Sequence, residues 1–336
     1  MSVNKLAVPS RRAILGTGLA ALAGRLPALG AGSADRVLVC IYLFGGDDAN
    51  MIVPLDQFSS YRSVRGDLAI PEDSLLPVKA LKSQATYGFH PALSELRDLF
   101  ESRALAVAGA IGRRRTLEPD KSLAYLPDGY VAPGWAVALS GAKGVFTRFA
   151  PGSSRNTRGG ASLIALGGPT GDQLAQVVQS SLQSELSLQT QFPETGLGSQ
   201  LRQIAKVIGL SGLRQQIYLC PLGGFTAGAD RLSREALLRE LSPAMAAFYQ
   251  ATVELGVHRR VTAFTDSEPN RNGTEHGWNG HQLALGGSVA GGDVMRNISK
   301  AQYSAAFAKW LGVDAGALNG LFPGLEGMAP ATEFLS

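Results

Sequence analysis

Cysteine is nearly missing from this chain: Cys40 and Cys220 are the only two among 336 residues. That scarcity excludes a disulfide-stapled scaffold. Each sits in an apolar run, Val37-Leu38-Val39-Cys40-Ile41-Tyr42-Leu43-Phe44 and Ile217-Tyr218-Leu219-Cys220, so both are expected to be buried thiols packing as small hydrophobes. An unbroken apolar stretch able to cross a bilayer is also absent. The weakly apolar, alanine- and glycine-rich run near the start is interrupted by Arg25 and Pro27, which excludes a permanent membrane span. No low-complexity linker separates two domains. Outside the first 34 residues the chain lacks net charge, because Lys5, Arg11, Arg12 and Arg25 account for the whole excess of 31 Lys and Arg over 27 Asp and Glu. A neutral body carries no electrostatic footprint for nucleic acid, and Arg113-Arg114-Arg115 reads as a solvated turn. Histidine is scarce too, with four in all.

What is present begins with Ser10-Arg11-Arg12-Ala13-Ile14-Leu15 ahead of the alanine- and glycine-rich run that ends near Gly32-Ser33-Ala34. This pattern predicts a twin-arginine export signal over residues 1–34, cleaved after Ala34. It implies the twin-arginine translocase as partner during export and a periplasmic or secreted destination. That route carries folded proteins, which suits one loaded with a cofactor in the cytoplasm. About 300 residues remain, in a chain that is 45% hydrophobic, enough for a large core. Residues 35–330 are read as a single domain.

The two cysteine-bearing runs end in Gly45-Gly46 and Gly223-Gly224, and a third, Val261-Thr262-Ala263-Phe264, ends in Thr265-Asp266-Ser267-Glu268. Continuous apolar runs without alternation predict strands covered on both faces. Helical patterns lie between them. One runs from His90 to Arg103, with Pro91 in its first turn and Leu93, Leu96, Leu99 and Phe100 repeating; another repeats Leu237, Leu241, Met245 and Phe248 before Gly256, with Ser242-Pro243 expected to interrupt or restart it. Near the end, Tyr303, Ala306, Phe307 and Trp310 share one helical face that stops at Gly312. Alternating strands and helices predict an α/β fold, a three-layer α/β/α sandwich with a mostly parallel sheet and its ligand site at the carboxyl ends of the strands.

Thr274-Glu275-His276-Gly277-Trp278-Asn279-Gly280-His281 places two of the four histidines and a carboxylate on one glycine-rich loop. Imidazole and carboxylate are the donors a hydrolytic zinc, manganese or iron site uses. The competing reading is that His276 and His281 only satisfy backbone groups near a sheet edge. In a parallel sheet, Asp47, Asp48 and Asn50 after the first strand, Asp266 and Glu268 after the third, and Glu275, His276 and His281 converge on one rim. Such a rim could hold a divalent metal, zinc, manganese, iron or calcium, to activate water or bind ester oxygens. Asp47-Asp48 taken alone also reads as a self-capping turn.

From about Arg36 to Gly327 the chain resembles the secreted domain-of-unknown-function 1501 family, bacterial proteins distantly similar to alkaline phosphatases and arylsulfatases. The resemblance rests on Tyr42-Leu43-Phe44-Gly45-Gly46-Asp47-Asp48-Ala49-Asn50 with Ile52-Val53-Pro54-Leu55, on Gly88-Phe89-His90-Pro91-Ala92-Leu93, on Pro193 to Leu201, on Leu222-Gly223-Gly224-Phe225, and on His276-Gly277-Trp278-Asn279-Gly280-His281-Gln282-Leu283-Ala284-Leu285-Gly286-Gly287. It implies an alkaline phosphatase/sulfatase-like sandwich in which Asp47 or Asp48, His276 and His281 are metal ligands. The departures are specific. Thr226-Ala227-Gly228 stands where the family has Asp-Thr-His, Glu275 replaces an Asp, and Glu268-Pro269-Asn270-Arg271 replaces an acidic-Phe-Gly-Arg sequence. The family's serine-histidine element is not recognisable between Gly112 and Trp135. A two-metal hydrolase needs roughly six or more donors, so a reduced or vestigial site is expected. Two classes follow. One is an exported metal-dependent hydrolase of phosphate or sulfate esters, with Asp47, Asp48, Glu275, His276 and His281 on metal, Glu268 as outer ligand or base, and Arg271 pairing with the anionic substrate. The other is a non-catalytic envelope protein that keeps the fold for binding or assembly.

Overall fold

The computed structural model describes residues 36–44, 51–109, 123–125, 131–136, 146–151, 161–166, 186–211, 216–225, 231–267, 280–325 and 327–336. The export signal, residues 1–34, lies outside them. The described strands are β1 (Val37–Phe44), β2 (Ile52–Pro54), β3 (Leu76–Lys79), β4 (Thr86–Phe89), β5 (Leu105–Gly109), β6 (Leu123–Tyr125), β7 (Val131–Pro133), β8 (Phe146–Pro151), β9 (Ala161–Leu166), β10 (Gln216–Gly223), β11 (Val261–Ser267), β12 (Gln282–Gly286) and β13 (Val294–Arg296). The described α-helices are α1 (Phe58–Arg65), α2 (Ser94–Glu101), α3 (Gly196–Ser211), α4 (Arg231–Glu254), α5 (Lys300–Trp310) and α6 (Ala315–Leu321).

Eight strands form the main sheet, in the order β13-β5-β12-β11-β1-β10-β8-β9. With β1 as reference, β10, β11, β8, β5 and β13 run the same way and only β12 and β9 oppose it, so the sheet is mixed and mostly parallel. The α/β class is therefore as the sequence predicts. Strand β1 occupies the centre because both of its faces are apolar. Val37, Val39, Ile41 and Leu43 enter one core with α3 and α4 residues such as Leu201, Ile204, Leu241 and Phe248. Leu38, Cys40 and Tyr42 enter a second core with Tyr303, Phe307 and Leu311. Helices thus cover both faces of the sheet. The period-2 alternation also separates the thiols: Cys40 belongs to the second core and Cys220 to the first, and both are free.

The pattern from His90 to Arg103 resolves into a short 3-10 turn over Pro91–Leu93 followed by α2. Helix α4 corrects the expectation at Ser242-Pro243, because it runs unbroken from Arg231 to Glu254 through Pro243. An interior proline costs about 3 kcal/mol. Leu241, Ala244, Met245 and Phe248 are all fully buried around it, and that packing outweighs the missing hydrogen bond. Ser242 does cap a helix, but not its own. Its Oγ accepts from Leu96 N at 3.3 Å and donates to Glu95 Oε2 at 2.7 Å, serving the first turn of α2, whose N-cap Leu93 offers no side-chain bond.

The C-terminal helix α5 starts with a capping box, Ser299 with Gln302, and Gly312, at φ +103°, lies just beyond its end. Trp310 gathers both ends of the described chain. Its indole Nε1 donates to Ser336 O at 3.2 Å, and the Arg36 guanidinium lies 4.9 Å from its ring centroid while donating to the Trp310 carbonyl. Among the described residues no helix is long and apolar enough to cross a membrane.

Candidate functional site at the carboxyl edge of the sheet

Strands β1, β10 and β11 pair in register so that Phe44 lies opposite Gly223 and Leu43 opposite Ser267, and their carboxyl ends therefore share one edge. Phe225 N donates to Phe44 O at 2.9 Å, tying two of the strand exits together. Asp47 and Asp48 follow β1 closely in sequence, and Glu268 follows β11. Those three residues, with Arg271, Glu275 and His276, lie outside the described residues. Of the seven residues given metal, base or substrate roles from sequence, His281 is the one described; of the other rim residues, Asp266 is described and Asn50 is not.

His281 immediately precedes β12 and is 4% exposed. Its ring packs against the end of β5, where a Cβ placed on Gly109 would be in van der Waals contact with it, 3.4 Å from His281 Cδ2 and 3.8 Å from Nε2. Burial away from water, reinforced by the positive charge of Arg65, pushes the imidazole pKa down from 6.5 to about 4. His281 is therefore neutral at pH 7, the form that binds a metal or accepts a hydrogen bond.

The third strand extends further than its sequence suggested. Thr265, Asp266 and Ser267 belong to β11 rather than to the loop after it, and all three are buried. The β11–β12 ladder stops at Phe264 opposite Ala284, and side chains satisfy the backbone groups beyond it. Leu283 N donates to Thr265 Oγ1 at 2.8 Å, and Tyr303 Oη donates to Leu283 O at 2.9 Å. Thr265 Oγ1 donates to Gln282 Oε1 at 2.6 Å, and Gln282 Nε2 donates to Ser267 Oγ at 2.8 Å. The strand tip is thus a closed polar lattice in place of a loop.

Asp266 sits inside this lattice at 2% exposure. Its Oδ1 accepts from Ser267 N at 2.8 Å and lies 3.1 Å from Lys300 Nζ, which also donates to Ser267 O at 2.6 Å. Its Oδ2 is buried and finds no hydrogen-bond partner among the described residues. Burial first, and the Asp266 charge second, push the Cys40 thiol and the Tyr303 hydroxyl well up, so both stay neutral. His90, which belongs to one of the motifs, has a structural task here: its Nδ1 accepts from Ala92 N at 3.0 Å.

Lys300 escaped the sequence reading because its partner lies 34 residues away. One signal was available. Ser299 and Gln302 spell a capping box, and a lysine at the first position of that helix opposes the positive end of the helix dipole, which suggests a partner elsewhere. Among the described residues no three His, Cys, Asp or Glu side chains converge as a metal centre. Asp266 and His281 are two buried side chains with donor atoms at or beside the same edge. Neither a protein-family model nor a curated protein matches this chain.

Proposed function

We propose that this chain is an exported protein of the domain-of-unknown-function 1501 type, with the three-layer alkaline phosphatase/sulfatase-like sandwich and a reduced metal site at its carboxyl edge. The observation that carries the reading is the pair of buried donors there: a neutral His281 and an Asp266 carboxylate with one oxygen left over. Asp47 or Asp48, Glu275 and His276 would complete the ligand set, with Glu268 as outer ligand or base and Arg271 facing the anionic group of a phosphate or sulfate ester. A divalent ion bound there supplies polarisation of an ester oxygen and a lowered pKa for bound water. The protein's own share is to present an imidazole that needs no deprotonation at pH 7.

One observation favours the second reading, a non-catalytic envelope protein. Lys300 already neutralises Asp266, so the nearest buried carboxylate has a resident positive partner. Elemental analysis of the purified mature chain, together with a panel of aryl phosphates and sulfates under added zinc, manganese, iron or calcium, separates the two. The hydrolase reading expects about one metal or fewer per chain, lost in His276→Ala and His281→Ala, and turnover that follows the metal. A metal-free protein with flat turnover under every ion leaves only the binding role.

A further inference from the structure

The carboxylate of Asp266 is too deeply buried to stand alone, since an uncompensated charge at such a site is strongly disfavoured. Its compensation comes from a residue that local helix physics would not choose. Lys300 is the first residue of α5, where the helix dipole favours an acidic side chain. Its ammonium nevertheless reaches back to the tip of β11, 3.1 Å from Asp266 Oδ1 and 2.6 Å from Ser267 O. Oxygen acceptors surround that position. The neighbouring donors are committed elsewhere: Thr265 Oγ1 to Gln282, Gln282 Nε2 to Ser267 Oγ, and Tyr303 Oη to Leu283 O. Asp266 Oδ2 keeps unused acceptor capacity among the described residues.

We propose that Asp266 and the Ser267 carbonyl form an oxygen site for a hard cation, that the tethered ammonium of Lys300 fills it, and that removing this ammonium turns it into a site for a divalent ion such as Ca2+ or Mn2+. Carboxylate and carbonyl oxygens are the donors such ions prefer, and water can supply the rest of the shell because the Lys300 side chain is 27% exposed. This oxygen site shares Asp266 with the site proposed above but uses none of the histidine-loop residues.

The test uses the mature chain carrying Lys300→Met, which keeps the apolar stem without the charge, Lys300→Gln as a milder variant, and Lys300→Met combined with Asp266→Asn. In EDTA, Lys300→Met is expected to melt roughly 5 to 10 °C below wild type. Millimolar calcium or manganese is expected to restore at least half of that loss and to bind with one extra equivalent in equilibrium dialysis. Lys300→Gln is expected to follow the same pattern with a smaller loss. The double variant is expected to melt above Lys300→Met in EDTA and to ignore the ions. Repeating the series in a His276→Ala background removes any metal that needs the histidine loop, so an equivalent gained there by Lys300→Met is held without that loop. The proposal is overturned if neither Lys300 variant gains metal dependence over wild type, if the double variant responds equally, or if both Lys300 variants stay unfolded with the ions present.

Discussion

His281 makes a prediction whose size follows from its position. In the unfolded chain its imidazole titrates near 6.5; in the fold, burial and the charge of Arg65 hold it neutral down to about 4. Between those values the unfolded chain binds a proton that the folded chain refuses, so stability falls as pH falls through the window. The contribution is fully present above pH 6.5, is lost progressively toward pH 4, and flattens below it. One pKa unit corresponds to about 1.4 kcal/mol, so lowering pH from 7 to 5 removes about 2 kcal/mol, and the whole window about 3 kcal/mol. Other groups titrate over the same range, which makes the comparison with His281→Gln the informative one. Urea unfolding of both proteins at pH 7, 6 and 5 is expected to show wild type losing about 2 kcal/mol more than the variant. If the two pH slopes coincide, or if the His281 ring resonances titrate near 6.5, the imidazole is not desolvated and its role as a neutral ligand loses its basis.

Ser242→Ala removes the cross-helix cap on α2 and leaves Leu96 N without its acceptor, so a loss of about 1–2 kcal/mol is expected in urea unfolding, although the substituted residue lies in α4. Ser242→Thr keeps the hydroxyl and should recover part of that loss. The two thiols lie on opposite faces of the sheet, so reductant should leave the melting temperature unchanged. A thiol reagent should modify neither in the native protein and both after unfolding, because burial holds both thiols up in their protonated form.

Residues that are apolar on every side made the sheet centre legible. Val37 to Leu43 are all fully buried, and a run with no polar alternation has few other places to go. Thr265-Asp266-Ser267 misled because those residue types usually mark a turn. Their hydrogen bonds and ion pair run to Gln282, Leu283 and Lys300, between 15 and 34 residues away, and nothing local to Thr265-Asp266-Ser267 announces those partners. Pro243 misled for the opposite reason: a strong local breaker was overridden by core packing on both sides. The reversal of β12 within a mostly parallel sheet was equally hidden, since Gln282–Gly286 is a short apolar run that fits either direction. Of the candidate site, the carboxyl edge and His281 followed from sequence order, while the Asp266–Lys300 pair appears only once α5 is folded against the sheet.

Trp310 touches Arg36 on one side and Ser336 on the other, which has a practical corollary for rewiring the molecule. Where the first and last described residues meet at one side chain, a brief glycine-serine bridge can join them, and the backbone can be opened afresh at a surface turn such as Lys82-Ser83. A permuted protein of that kind would move β1 from its place as the first of the described strands along the chain, and its refolding rate would report how much strand order contributes to assembling the sheet.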